Sequence, residues 1–363
     1  MSIIKRLSFS YHKSLLLLLG VPVMGATLII AGCQSSQLVT RDLTADEWQT
    51  QLQLTSTQEA AALQSLVYNQ IETQWLDWFD QARQRAVPAL LFTPEKITGK
   101  IPLVVFSHGL GGARDRYAYL GQYWARKGVA SLHVQHVGSD RQVWQGSRWT
   151  LALRLQKAAG DKEALDRVAD VKFALNQFLA TPAAATIDQQ HLVIAGHSYG
   201  ANTAMLIAGA EVERKHQRIK LQDSRFSAAI LISAPPFYTD QTLEDILAKV
   251  KIPTLHITTT KDEIKVPGYY SAPEDRLTLF NAIASDYKLL AMFYGGSHNI
   301  FTGRRQRPEL STQNQVIKAA TQSLSLAFIN SEFSGQEQAI NEWQVQHKAL
   351  LANYQKVGQI ENY

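Results

Sequence analysis

Residues 192–200 run Leu-Val-Ile-Ala-Gly-His-Ser-Tyr-Gly, and Ala201–Ala210 that follow read as a helix. A buried strand that breaks into Gly-x-Ser-x-Gly and turns at once into a helix constrains the fold more than any other stretch. The turn has to be tight. Gly196 and Gly200 let strand and helix approach, and Ser198 is held clear of its own backbone. The helix start then points free amide groups and a positive dipole end at that serine.

The chain around this turn alternates in the same way. Val87–Phe92, Leu103–Ser107, Val129–Val137, His191–Ala195, Ala228–Ser233, Thr254–Thr259 and Leu289–Tyr294 read as strands. Tyr117–Lys127, Ala164–Leu179, Leu243–Val250 and Gln315–Ile329 read as helices. Strands that are apolar almost throughout are buried on both faces, so the expectation is α/β: a mostly parallel sheet covered by helices on both sides. Residues 86–330 form that domain. Residues 46–85 carry apolar side chains at helical spacing, from Trp48 to Trp75, Trp78 and Phe79, and predict an N-terminal helical extension. Residues 331–363 read as a C-terminal helix or tail.

The charge is uneven. Of 36 basic and 31 acidic residues, three basic and no acidic ones fall in residues 1–32, so the remainder carries only +2. A body so close to neutral argues against nucleic acid as a partner. Lys5, Arg6 and Lys13 precede an apolar run, Leu15–Ala31, which ends in Ile30-Ala31-Gly32-Cys33. This is similar to the lipobox of bacterial lipoproteins, and implies a signal peptide over 1–32, lipidation of Cys33 with fatty acyl chains such as palmitate, and a tether over 33–45. Gln34 follows the cysteine where an aspartate would signal inner-membrane retention. The expected address is the cell envelope, outer membrane before inner, with the membrane held through Cys33. Cys33 is the only cysteine, which excludes an intramolecular disulfide, a Cys-rich zinc site and an iron–sulfur cluster.

A serine nucleophile needs a base, and the base an orienting acid, expected in the order Ser, Asp or Glu, His. Downstream of Ser198 lie His216, His256, His298 and His347. His216 sits in the charged segment Glu211–Lys220, His256 inside a strand and His347 in the tail. His298 follows the last main strand in Gly295-Gly296-Ser297-His298-Asn299, and is the expected base. Asp262 follows the strand Thr254–Thr259 and is the expected acid, with Glu263 and Asp240 as competitors. The oxyanion donors are expected at the amides of Tyr199, after the nucleophile, and Leu110, in the loop His108-Gly109-Leu110-Gly111-Gly112.

Together His108–Gly112, Gly196–Gly200, Asp262 and Gly295–Asn299 resemble the α/β-hydrolase superfamily. Within it, Val104–Gly112 and the stretch Asp80…Arg83-Gln84-Arg85-Ala86-Val87-Pro88 are similar to platelet-activating-factor-acetylhydrolase-type and dienelactone-hydrolase-like proteins. The resemblance spans about residues 80–330. It implies a serine esterase acting on a small-molecule or lipid ester through an acyl-enzyme, with no cofactor and no metal. True dienelactone hydrolases use a cysteine where this chain has Ser198. The acetylhydrolases carry the acid one strand earlier, where this chain offers Asp240. Thioester or peptide cleavage by the same triad, or a non-catalytic envelope protein on the same scaffold, are the alternatives. His133 and His136 are three apart on one strand, so a shared metal is not expected. Trp144 and Trp149 sit in a long loop of the kind that forms lids. Arg304, Arg305 and Arg307 read as a solvated loop or, in a membrane-tethered enzyme, as a contact for anionic headgroups, and Asp161-Lys162-Glu163 with Asp166-Arg167 read as a solvated helix start.

Overall fold

The computed structural model describes residues 42–64, 70–266, 268–303, 311–335 and 337–359. Cys33, the signal peptide, most of the tether and Arg304, Arg305 and Arg307 lie outside them. Helix α1 (Ala45–Gln64) comes first. Strands β1 (Ile71–Asp80), β2 (Arg85–Pro94) and β3 (Ile101–Ser107), helix α2 (Ala118–Arg126) and strand β4 (Ala130–Val134) follow. Then come α3 (Leu151–Ala158), α4 (Asp161–Leu179), β5 (Ile187–His197) and α5 (Tyr199–Ala208). A hairpin, β6 (Glu211–Arg214) and β7 (Gln217–Lys220), leads to β8 (Phe226–Ile232), α6 (Leu243–Leu247) and β9 (Thr254–Lys261). A second hairpin, β10 (Ile264–Val266) and β11 (Tyr269–Ser271), precedes α7 (Glu274–Ala282) and β12 (Lys288–Ser297). The chain closes with α8 (Ser311–Ser334), α9 (Gln338–Gln346) and β13 (Leu351–Val357).

Nine strands form one sheet in the order β1-β2-β4-β3-β5-β8-β9-β12-β13. The block β4-β3-β5-β8-β9-β12 is parallel throughout; β2 and β13 flank it antiparallel, and β1 pairs antiparallel with β2. This is the mostly parallel, helix-covered architecture expected of an α/β-hydrolase. The cause is visible in single strands. Along β3, Leu103 and Val105 enter one core layer, while Val104 and Phe106 enter the other. Because successive side chains point to opposite faces, a strand apolar at every position needs cover on both. One layer is filled from α4, α5 and α6 (Val171, Leu175, Met205, Ile246), the other from α2 and α8 (Leu120, Trp124, Leu324, Phe328). Among the described residues no helix is long and apolar enough to cross a membrane.

Both flanks depart from the sequence reading. Among the described residues of 46–85, the helix ends at Gln64 and residues 71–80 are a strand, paired with β2 from Ile71↔Pro94 to Asp80↔Arg85. Trp75, Trp78 and Phe79 fit a helical spacing, but Leu76, Trp78 and Asp80 fit an alternating one equally well, and these are the partly or fully buried positions. The short turn at Gln81–Gln84 settles the matter by bringing β1 beside β2, where every second peptide finds a partner. Exposed Trp75 gains cover from the Arg114 guanidinium, 4.6 Å above its ring. At the other end, residues 331–363 hold α9 but then return as β13, antiparallel to β12 from Lys288↔Val357. That strand covers an edge that a C-terminal tail would have left open. The sheet therefore extends past 86–330 in both directions.

Candidate active site

In an open parallel sheet, sites form beyond the carboxyl ends of the strands. Here four such ends converge: those of β3, β5, β9 and β12.

Ser198 stands between β5 and α5 with φ +56° and ψ −124°, a left-handed conformation that a non-glycine residue adopts only under constraint. Its N–H donates to Ile232 O of β8 at 2.9 Å, which pins the turn. The flanking glycines are sterically required. A Cβ on Gly196 would lie 2.1 Å from Gly200 O, and one on Gly200 1.9 Å from Ser107 O.

His298 follows directly on β12. Gly295 and Gly296 have φ of +63° and +70°, and the β9–β12 register shifts between Phe293 and Ser297. This bulge swings the end of β12 over the end of β5. His298 Nε2 lies 2.8 Å from Ser198 Oγ, and Nδ1 lies 2.6 Å from Asp262 Oδ1. Of the three acids that the sequence left open, Asp262 is the one against His298. Asp240 is exposed, and exposed Glu263 pairs with Lys265 at 2.6 Å.

Asp262 is fully buried, and burial alone would raise its carboxyl pKa. The charge and hydrogen bond of His298, the Arg276 guanidinium and the Thr258 hydroxyl outweigh this and hold it far below the usual carboxylate range. Arg276, 3 % exposed, donates from Nη2 to Asp262 Oδ1 at 3.1 Å, and Thr258 Oγ1 donates to Oδ2 at 2.6 Å. The carboxylate is thus ionised and immobile.

Leu110 and Tyr199 both line the cavity in front of Ser198. In the loop after β3, Gly109 N–H donates to Tyr117 Oη at 3.4 Å, Gly111 N–H to Ser139 O at 2.8 Å and Gly112 N–H to Gly109 O at 2.9 Å. The Leu110 amide has no acceptor among the described residues, and neither has that of Tyr199 at the start of α5. Two amides without internal partners, on either side of the serine, can receive a developing oxyanion.

Two further residues hold this geometry, and the sequence reading missed both. His197 Nε2 lies 3.1 Å from the carbonyl of His298 and Nδ1 2.8 Å from Tyr117 Oη. Burial, with the His298 charge adding to it, takes its pKa down to about 3, so the ring is neutral. A carbonyl can only accept, so Nε2 carries the proton, and Nδ1 accepts from Tyr117. A chain of bonds therefore runs from Gly109 N–H through Tyr117 and His197 to the backbone of His298. The second residue is Arg167. The reading of a solvated helix start holds for Asp161 and Lys162 but fails for Glu163 and Arg167, because the helical period turns Glu163, Arg167, Asp170 and Val171 towards the sheet. Arg167 is fully buried. It donates to the carbonyl of His108, to Ser107 Oγ at 3.0 Å, to Ser139 Oγ at 2.7 Å and to Thr203 Oγ1 at 3.0 Å. Its guanidinium carbon sits 4.4 Å from the Tyr199 ring centroid. Burial lowers its pKa to about 10, which leaves it charged at neutral pH.

Among the described residues no other histidine ring is hydrogen-bonded to Ser198. His136 lies beyond the end of β4 and is buried between Ser107 Oγ and Asp170; His133 is buried against Ser131 Oγ. His256 is buried in β9, His347 stacks on Trp343, and His216 is exposed at the β6–β7 turn. Among the described residues no three His, Cys, Asp or Glu side chains stand together as metal ligands.

The cavity at Ser198 has a volume of about 760 Å³. Its walls are largely apolar, with Leu206, Val212, Ile219, Phe237, Val266 and Tyr269 among them. Trp144 also lines it and donates from Nε1 to Gly111 O at 3.0 Å, which ties the loop after β4 to the Leu110 loop.

Comparison with known proteins agrees with this architecture. The family model for platelet-activating factor acetylhydrolase, isoform II, matches residues 68–146, from β1 through the Leu110 loop to Trp144. A platelet-activating factor acetylhydrolase of Cavia porcellus is 23% identical over 306 residues, covering 71% of this chain. The chain spans 63% of that relative's length. The resemblance to acetylhydrolase-type α/β-hydrolases therefore stands on both the residues and the comparisons. The family match ends before the Ser198 turn, so it does not reach Ser198, Asp262 and His298, which the geometry brings together.

Proposed function

We propose that this chain hydrolyses carboxylic esters by way of an acyl-enzyme on Ser198. One observation carries the reading: Ser198 Oγ, His298 and the buried Asp262 form an unbroken hydrogen-bonded line, with steps of 2.8 and 2.6 Å, at the wall of an apolar cavity. His298 Nε2 takes the proton as Ser198 Oγ attacks the ester carbonyl. The charged imidazole that results is stabilised by Asp262, which also fixes Nδ1–H as the tautomer. The amides of Leu110 and Tyr199 receive the oxyanion. His298 returns its proton to the leaving alcohol, and a water activated by the same ring releases the acid.

The names of the relatives point to acetyl esters of a lipid. The apolar cavity supports an ester with an apolar portion, and its size leaves room for acyl groups longer than acetyl. The N-terminal sequence supports a lipoprotein held on a bacterial envelope membrane through Cys33. The test is a series of p-nitrophenyl esters from acetate to octanoate. Wild type turns them over, and Ser198→Ala loses about 10⁴-fold or more in kcat/KM. Turnover that survives in a folded Ser198→Ala variant rules this reading out.

A further inference from the structure

The segment between β4 and α4 has an outward face that the reaction does not use. Residues 141–158 hold Arg141, Arg148, Arg154 and Lys157 and no acidic residue. The inner face is spent on packing behind the cavity wall, where Val143, Leu155 and Ala158 are buried against Leu151 and against the wall residues Leu110 and Val266. The outer face is of another kind. Trp149 is 95% exposed, and Leu153, one helical turn on, is 66% exposed. Arg148 beside the first and Lys157 one turn beyond the second are both exposed on that face.

The other two cations are committed. Arg154 donates to Val143 O and Ser147 O, each at 3.0 Å, and Arg141 lies 4.0 Å from Asp115. The acids at the segment's ends are committed too. Asp140 accepts from Gln135 Nε2 at 2.8 Å and from Gln142 N at 2.9 Å, and Asp161 pairs with Arg214 at 2.9 Å. Among the described residues no carboxylate pairs with Arg148 or Lys157.

A tryptophan in open solvent beside a leucine gains nothing within the fold. With cations flanking it and no anion near, it matches one partner chemistry. The indole seats at the boundary between headgroups and acyl chains, and the cations meet lipid phosphates. A second copy docked through this face about a twofold axis would bring the Arg148 and Lys157 of both copies into one interface that contains no acidic residue of 141–158, which disfavours self-association. We propose that residues 141–158 form a docking surface that seats the cavity mouth on an anionic phospholipid bilayer. The surface is independent of which bond the chain cleaves, and it is a contact distinct from any anchor at Cys33.

The test uses the full chain with phosphatidylcholine vesicles, with or without about 30% phosphatidylglycerol, whose acyl chains are brominated to quench tryptophan. The first tryptophan is Trp48, so the N-terminal segment is silent in this measurement. Wild type is quenched in anionic vesicles. Trp149→Ser with Leu153→Ser removes roughly half of that quenching, and Arg148→Glu with Lys157→Glu lowers it about threefold in anionic vesicles only. All four side chains point outward, and unchanged circular dichroism checks the fold. Equal quenching in wild type and both variants overturns the proposal. So does equal quenching by anionic and zwitterionic vesicles, or a change in oligomeric state without a change in quenching.

Discussion

Asp262→Asn lowers kcat for ester hydrolysis by about 10⁴-fold and leaves KM nearly unchanged. The amide has the shape of the carboxylate but lacks its charge. In wild type, Asp262 stands against two groups at once: His298, which becomes cationic during the reaction, and Arg276, which is cationic throughout. Removing the anion leaves buried Arg276 as an uncompensated positive charge close to the ring that has to accept a proton. The transition state loses an attraction and gains a repulsion. The same change leaves half of a buried ion pair, at a cost of about 3–5 kcal/mol in stability. Asp262→Asn with Arg276→Leu separates the two effects. The double variant recovers most of the melting temperature, because both charges are gone, while kcat stays low. A double variant that recovers kcat as well would make Asp262 a structural residue only. The sign of the pH dependence is fixed by the lowered pKa. The stability contributed by Asp262 is present above its ordinary value of 3.8 and is lost as pH falls below that value. That acid-sensitive component is absent from Asp262→Asn.

Arg167→Met lowers kcat about 10- to 100-fold with KM within about twofold. Loss of a whole oxyanion donor costs about 10²–10³-fold. Here the Leu110 and Tyr199 amides both remain, but what aims them is gone. Arg167 holds the His108 carbonyl at the root of one loop and lies under the Tyr199 ring at the root of the other. Methionine fills much of the volume yet leaves Ser107, Ser139, Thr203 and the His108 carbonyl short of a donor, at about 1–3 kcal/mol for each group left unsatisfied. Melting temperature therefore falls as well. Arg167→Lys keeps the charge without the planar fork and lies between wild type and methionine in both measurements. A variant that melts lower but keeps full kcat would confine Arg167 to holding the fold.

How much of this could be read in advance follows from how local each signal is. Ser198 was legible because Gly-x-Ser-x-Gly between an apolar strand and a helix is a contiguous cause. His298 was legible because a glycine pair after the last main strand can turn a side chain back over the sheet. The acid was not settled by sequence, since Asp262, Glu263 and Asp240 all follow strands. What separates them is which side chain turns inward to Arg276 and Thr258. β1 was misread because Trp75, Trp78 and Phe79 fit the helical period while Leu76, Trp78 and Asp80 fit the strand period, and only pairing with β2 breaks the tie. Arg167 was invisible for a related reason. A buried guanidinium is tolerable only where acceptors and an aromatic face from three separate segments, Ser107–His108, Ser139 and Tyr199–Thr203, meet it, and no short window of sequence contains them. The cavity walls were hidden in the same way: Glu211–Lys220 looks solvated, yet its Val212 and Ile219 turn inward as a hairpin.

The most direct measurement is covalent. Incubate the protein with a fluorophosphonate and map the adduct by peptide mass spectrometry. The account predicts a single adduct on Ser198, slowed at least tenfold in Asp262→Asn and absent in Ser198→Ala. A folded protein that stays unlabelled, or an adduct on any other residue, would contradict it.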